Sequence, residues 1–332
     1  MSKVAIIGAT TWGNTLGRLL ANKEIEINVW ARTEAKAREL RQEQQNHLPK
    51  TASTECLSFT SHIDEALHSA QFVICAVPAQ RMRQNMKLLS SRLDASMILV
   101  SVAKGLEAET GKRMSEVMVE EVAQMSTEKI CALSGPNLSG EISQGLPATS
   151  VIAGHDIEVA RKTQELLDSP NFSVFVSDDI VGVELCGALK NVIALGAGMM
   201  DGLDLGNNAK AAYITLGWNE VVSLGIALGA KTSTFYGLAG LGDLIATGNS
   251  PLSRNHYVGY ELGKGRSLGD ITASMAHVAE GIDTTIAAHR LVNKLGLKAP
   301  IINLVYSVLF ESLSPVEIST RFKNGLKPES IV

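Results

Sequence analysis

Cysteine is scarce in this chain. Its four copies, Cys56, Cys75, Cys131 and Cys186, lie far apart and form no Cys-x-x-Cys pair. That spacing excludes a disulfide-stapled scaffold and leads us to expect reduced thiols in a cytoplasmic protein. The seven histidines show neither His-x-x-x-His spacing nor acidic clustering, so no metal site is expected. A basic surplus is also missing. Thirty Lys and Arg face 34 Asp and Glu, a net charge of −4, which removes nucleic acid as a general partner. Any anion must therefore be held by local basic groups. No targeting segment is expected, because strand-like residues begin at Lys3. Repeats, low-complexity tracts and long linkers are absent. The most apolar stretch, Val181 to Met200, is interrupted by Glu184, Lys190, Asn191 and several glycines. It reads as a central helix rather than a transmembrane segment.

At 332 residues, 45% of them hydrophobic and 19% charged, the chain is long enough to bury two cores. Strand patterns fall at 3–7, 25–30, 72–77, 97–102, 130–134, 149–153 and 172–176. Helical patterns lie between several of them, at 33–45, 80–92 and 111–124. The alternation predicts an α/β fold whose Rossmann-like, doubly wound sheet is mainly parallel. From about residue 180 the strand pattern stops, and helical periods run through 181–203, 208–228, 280–297 and 301–311. We therefore expect a dinucleotide-binding domain over 1–180, an all-helical substrate domain over 181–332, and a site in the cleft between them.

The N-terminus supports the first of these. Val4–Ile7 is continuously apolar and rich in β-branched residues, as in a buried parallel strand. Gly8-Ala9-Thr10-Thr11-Trp12-Gly13 and a helical run from Asn14 to Asn22 follow. This is the strand–turn–helix setting of a dinucleotide fingerprint, with a pyrophosphate on the helix N-terminus. Gly8 and Gly13 fit the pattern. Thr10 does not, since the middle position is normally a glycine that admits the backbone close to the pyrophosphate. At the end of the second strand, where an acidic residue would hold a ribose hydroxyl, stand Ala31, Arg32 and Thr33. A guanidinium there suits a 2′-phosphate, so NADPH is the expected cofactor, with NADH also admitted.

Further strand ends and helices carry chemistry. Lys104 follows the strand ending at Val102, on the rim where ligands bind. Ser134-Gly135-Pro136-Asn137 ends another strand and opens a helix near 138–145. In the second half come Gly187-Ala188-Leu189-Lys190-Asn191, Gly240-Leu241-Gly242-Asp243 and Leu252-Ser253-Arg254-Asn255. A helix lysine is most often a solvated surface group, Gly-Leu-Gly-Asp a turn and Ser-Arg-Asn a loop. Together they supply a proton-transfer group, a carboxylate to tune it, and anion-binding donors. Lys190 shares a helix line with Val183, Ala194, Ala197 and Asp201. On such an apolar face it either snorkels to solvent or is held desolvated, with a lowered pKa.

With these residues assembled, the chain resembles the bacterial-type NAD(P)-dependent glycerol-3-phosphate dehydrogenases over essentially its whole length. Carrying the resemblance are Val102–Glu107, Leu133–Pro136, Gly182–Asn191, Gly237–Leu244, Ser253–Asn255 and Ala279–Gly281. It implies reversible hydride transfer between a nicotinamide cofactor and dihydroxyacetone phosphate, giving sn-glycerol 3-phosphate for glycerophospholipid synthesis. Lys190 takes the position of the proton donor and acceptor. Lys104 is similar to the family's second lysine, near both cofactor and substrate. Gly135, Asn137, Asp243, Ser253, Arg254 and Asn255 match substrate-binding positions. Thr11, Trp12, Arg32, Ser139, Val278 and Glu280 match cofactor-contacting positions, and Arg254 lies near the cofactor as well. Asn46-His47-Leu48-Pro49 departs from the family's segment, and nothing carries over from it. The implied partner is a small phosphorylated substrate. The oligomeric state is left open, a homodimer included.

Two rival readings stand beside this one. Another Rossmann-plus-helical dehydrogenase, of the β-hydroxyacid or ketopantoate type, would also use a helix lysine. It would not call for the Gly-Leu-Gly-Asp and Ser-Arg-Asn runs together. A non-catalytic NADP-binding sensor is favoured only by Thr10.

Overall fold

A computed structural model describes residues 3–23, 25–47, 55–250, 252–275 and 277–323. The chain forms two compact units. One takes the residues up to Ala103 together with Met114–Ile180; the other takes Lys104–Arg113 and the residues from Val181 onward. Relative to the expected division at residue 181, the segment Lys104–Arg113 is the difference. It lies early in the sequence and groups with the helical unit.

The first unit is an eight-stranded sheet in the order β3-β2-β1-β4-β5-β6-β7-β8. The strands are β1 Lys3–Ile7, β2 Glu26–Trp30, β3 Leu57–Thr60, β4 Phe72–Cys75, β5 Ile98–Ser101, β6 Ile130–Ser134, β7 Ala148–Gly154 and β8 Phe172–Ser177. β1 to β6 run parallel. β7 pairs antiparallel with β6, and β8 parallel with β7. The central strands are apolar at successive positions because helices cover both faces. Alternate residues feed two cores. Val4, Ile6, Ile27, Ile74 and Val100 pack with Leu16 and Leu20 on one face. Ala5, Ile7, Val73 and Leu99 pack with Met82, Met86 and Met118 on the other. β1 pairs with β2 on one side and β4 on the other. The winding therefore reverses at β1, and ligands bind beyond the carboxyl ends of strands at such a point.

β3 was not expected. It is four residues long, half polar, and lies at the sheet edge, where no alternation of useful length can develop. Leu48 and Pro49, from the departing segment, lie outside the described residues. The expected helix at 111–124 is shorter, Met114–Glu121.

The second unit is helical throughout its described residues after 180. Its principal helices are Ile180–Gly202, Gly206–Ala227, Arg254–Gly263, Glu280–Leu295 and Pro300–Phe310. Ile180–Gly202 is long and apolar enough by length and composition to cross a membrane, but 94% of its apolar window is buried inside the protein. It is the core helix of this unit. Glycines let helix Arg254–Gly263 lie directly on it. A Cβ at Gly198 would stand 2.1 Å from the His256 carbonyl oxygen, and one at Gly259 1.8 Å from that of Leu195. This contact sets Asn255 beside Asn191.

The Gly-Leu-Gly-Asp run is not a turn. Leu238–Gly242 forms a π-helical turn that passes directly into helix Asp243–Asn249. A Cβ at Gly240 would lie 2.3 Å from the Phe235 carbonyl oxygen, so the glycine serves a close helical approach.

Candidate active site

The glycine-rich loop after β1 has the shape of a dinucleotide cradle. Gly8 has a φ of 109°, and a Cβ there would meet the Ala76 carbonyl oxygen at 2.6 Å. A Cβ on Gly13 would stand 2.3 Å from the Gly8 oxygen. Thr10 is the N-cap of helix Thr11–Ala21 and is extended, with φ −80° and ψ 168°. Its hydroxyl accepts the Gly13 N–H at 3.1 Å and donates to the Ala76 carbonyl at 2.9 Å. The threonine therefore closes the helix start, and the backbone at position 10 does not call for glycine. The first intrahelical bond runs from Asn14 N–H to the Thr10 carbonyl. The Thr11 and Trp12 N–H groups precede it and lie where a helix receives an anion. This cradle fits a nicotinamide dinucleotide. Trp12 packs on Phe172 with ring centroids 6.3 Å apart. Helix Ser139–Ser143 is tied to the same helix by Ser143 and Thr15, whose hydroxyl oxygens are 3.0 Å apart.

Arg32 is exposed at the end of β2, its guanidinium 3.4 Å from the Asn85 Oδ1. Glu34, two residues on, accepts hydrogen bonds from Ser61 and Arg41, which hold its carboxyl below the usual carboxylate range. Gly135 is buried with a φ of 145°, and a Cβ there would be 3.0 Å from the Ser150 Cα. Asn137 Nδ2 donates to the Ser150 hydroxyl at 3.0 Å. Its Oδ1 is buried without a partner among the described residues.

The helical unit holds a cluster of charged groups. Lys190 is 4% exposed, so it does not snorkel to solvent. Its Nζ donates to Asp243 Oδ1 at 2.6 Å and to the Thr247 hydroxyl. Lys104 Nζ donates to the other oxygen, Asp243 Oδ2, also at 2.6 Å. One buried carboxylate thus stands between two ammonium groups. Burial pushes the Lys190 amine down to about 8, against the pull of Asp243, and Lys104 pushes in the same direction as burial. Thr247, one helical turn after Asp243, donates to Asp243 Oδ1 at 3.2 Å.

Amides extend the cluster. Asn191 Nδ2 donates to the Lys104 carbonyl at 2.9 Å, and its Oδ1 accepts from Asn255 Nδ2 at 2.8 Å. Asn255 Oδ1 takes the Gly281 N–H at 2.9 Å. Ser253 is buried as the N-cap of helix Arg254–Gly263, its hydroxyl accepting the His256 N–H at 3.2 Å. Arg254 is exposed and donates to the Val278 carbonyl at 3.0 Å. Glu280 opens the next helix.

Lys104, Lys190, Asp243 and Asn255 therefore meet in one network, and Arg254 meets Val278. Gly8, Thr11, Trp12, Gly13, Arg32, Gly135, Asn137 and Ser139 lie on the sheet unit. Lys104, three residues beyond the end of β5, groups with the helical unit. The sequence reading missed Thr247 and the linking amide of Asn191. Reading Gly-Leu-Gly-Asp as a helix would have exposed Thr247 as the i+4 neighbour of Asp243.

The sequence matches two models of one family. Residues 3–160 match the N-terminus of NAD-dependent glycerol-3-phosphate dehydrogenase, and residues 179–320 its C-terminus. A glycerol-3-phosphate dehydrogenase from Dehalococcoides mccartyi strain BAV1, with NAD(P)+ in its name, is 50% identical over 320 residues, covering 96% of this chain and 89% of the relative. The crystal structure of glycerol-3-phosphate dehydrogenase from Coxiella burnetii has a TM-score of 0.90 at 30% identity, covering 98% of this chain and 99% of that one. A ketopantoate reductase structure from Ralstonia eutropha reaches a TM-score of 0.59 at 14% identity over 96% of this chain, a likeness of fold.

Proposed function

The chain belongs to the NAD-dependent glycerol-3-phosphate dehydrogenase family, and on that premise we propose that Lys190 is its proton donor and acceptor. The reaction we assign is the reversible reduction of dihydroxyacetone phosphate to sn-glycerol 3-phosphate, with NADPH preferred. The observation that carries this reading is a desolvated lysine sharing a buried aspartate with a second lysine. A nicotinamide cofactor supplies one hydride when bound, and Gly8, Gly13 and the N–H groups of Thr11 and Trp12 would hold its pyrophosphate. Arg32 would select the 2′-phosphate.

The remaining chemistry falls to this chain's own groups. Reduction of a ketone places negative charge on its oxygen, and the Lys190 ammonium stabilises and then protonates that oxygen. In the reverse direction the neutral amine removes the alcohol proton. A lysine near 8 serves both roles close to neutrality, where an ordinary lysine near 10.5 stays protonated. Asp243 orients the ammonium, and Thr247 fixes its rotamer by a second contact. An arginine carries five donors, and the Val278 carbonyl takes one; Arg254 is the phosphate ligand in this reading. Asn255 holds the Asn191 amide, and so supports the network. The product would feed glycerophospholipid synthesis, and the buried thiols of Cys75, Cys131 and Cys186 suit a reducing cytoplasm.

Oxidation of NADPH and NADH by purified protein, with dihydroxyacetone phosphate or ketopantoate as acceptor, tests the assignment. Turnover with dihydroxyacetone phosphate, faster with NADPH at equal concentration, is expected. Turnover with ketopantoate alone would assign the chain to the rival class, and no turnover with either would leave only cofactor binding.

A further inference from the structure

Lys104 reaches Asp243 from a segment that carries no helix or strand. Lys104–Arg113 closes on itself through Glu107 N–H to the Lys112 carbonyl at 2.9 Å and Gly111 N–H to the Glu107 carbonyl at 2.8 Å. Without regular structure, such a segment depends on its anchors for position. Both ends are fastened to helix Ile180–Gly202. At the start, Asn191 holds the Lys104 carbonyl. At the far end, Arg113 donates to Glu184 Oε2 at 2.7 Å, with the side chains only 14% and 6% exposed. Glu184 and Asn191 are about two turns apart, on one face of that helix. Between the ends, Arg290 donates to the Ala108 and Glu109 carbonyls at 3.0 and 2.8 Å. Gly111, with a φ of 74°, lies against Leu291.

Burying an ion pair costs both partners their hydration, so such a pair is a weak source of net stability. Its use here is geometric. We propose that Glu184, through its buried pair with Arg113 and together with Arg290, is a positioning residue that holds Lys104 on Asp243. The proposal rests on the reading of Lys190 as the acid–base group.

The consequence is readable in pH. The charged groups that face Lys190 are Asp243, from helix Asp243–Asn249, and Lys104, from the anchored segment. Lys104 is a second positive charge at the same carboxylate and disfavours the Lys190 ammonium. If Lys104 moves away, the Lys190 amine is protonated more readily, and alcohol oxidation needs a higher pH.

The experiment follows kcat for sn-glycerol 3-phosphate oxidation against pH in the wild type, Lys104→Met, Glu184→Gln and Arg290→Met. Thermal unfolding of each is measured in parallel. Lys104→Met should raise the midpoint by on the order of 1 unit. Glu184→Gln and Arg290→Met should raise it by a smaller amount in the same direction. Arg290 is exposed, so its variant carries the test even where Glu184→Gln does not fold. If Lys104→Met shifts the midpoint while both anchor variants keep the wild-type value and lose activity only in step with folded protein, the positioning role is overturned. An unmoved midpoint in Lys104→Met would overturn the reading of Lys190 itself, and the proposal with it.

Discussion

Asp243 serves two lysines at once, and that shared carboxylate explains the state of both the charge and the proton in the cluster. Burial lowers the Lys190 pKa, and Asp243, shared with the half-buried Lys104, does not fully offset it. Lys190 is nearly alone among the core residues of its helix in being charged, and its burial is one of the two alternatives that the apolar face leaves open at the sequence level. Arg254 is the opposite case, an exposed cation held at one edge by a backbone carbonyl. Its role is therefore testable without disturbing the core. Arg254→Ala should weaken dihydroxyacetone phosphate by about 10- to 100-fold, the scale of a charged hydrogen bond of roughly 1.5–3 kcal/mol. Unphosphorylated dihydroxyacetone should change little. Equal losses for the two ketones, measured as kcat/KM, would mean that Arg254 serves the fold or the cofactor instead.

At the scale of elements, the start of helix Thr11–Ala21 shows what a motif can and cannot convey. The fingerprint pattern treats position 10 as a place for glycine, and a threonine there reads as a defect. The structure makes it a cap, because the chain is extended at Thr10 and its hydroxyl meets Gly13 and Ala76. Thr10→Ala should then cost about 1 kcal/mol in unfolding free energy, and Thr10→Gly only a few tenths from the cap itself. Denaturant unfolding that leaves both variants at wild-type stability would remove the capping role. Other elements were legible to differing degrees for physical reasons. The strands β1, β4 and β5 announce themselves as nearly continuous apolar runs, and the helices Ile180–Gly202 and Glu280–Leu295 through their length and apolar faces. β3 does not, being half polar and at the sheet edge. The π-helical turn before Asp243 was hidden because glycine marks both turns and close helical packing, and only the proximity of Phe235 separates the two. The antiparallel entry of β7 follows from pairing across the sheet, which no local pattern records.

Across the whole molecule, charge and chemistry are distributed unevenly. The chain is acidic overall, at −4, while Lys104, Lys190 and Arg254 concentrate positive charge on one unit. A phosphorylated substrate would thus be drawn by local groups rather than by the protein's net field. Sequence order also conceals one part of that set: Lys104 stands in the first half of the chain and belongs with residues after 180. The desolvated lysine has a cost for the fold. Its folded pKa near 8 lies below the ordinary 10.5, so the unfolded chain binds more protons between those values and stability rises with pH across that window. Lys190→Met removes this cost while Lys104 still pairs with Asp243, so the variant should fold at neutral pH at least as well as the wild type. The central claim, that Lys190 moves the proton, is tested most directly by kcat of Lys190→Met beside the wild-type pH profiles in both directions. Wild-type oxidation of sn-glycerol 3-phosphate should rise through a midpoint near 8, and reduction of dihydroxyacetone phosphate should fall through it. The folded, NADPH-binding Lys190→Met protein should lose on the order of 100-fold or more in kcat in both directions. Near-normal turnover in that variant, with the wild-type midpoints preserved, would contradict the account.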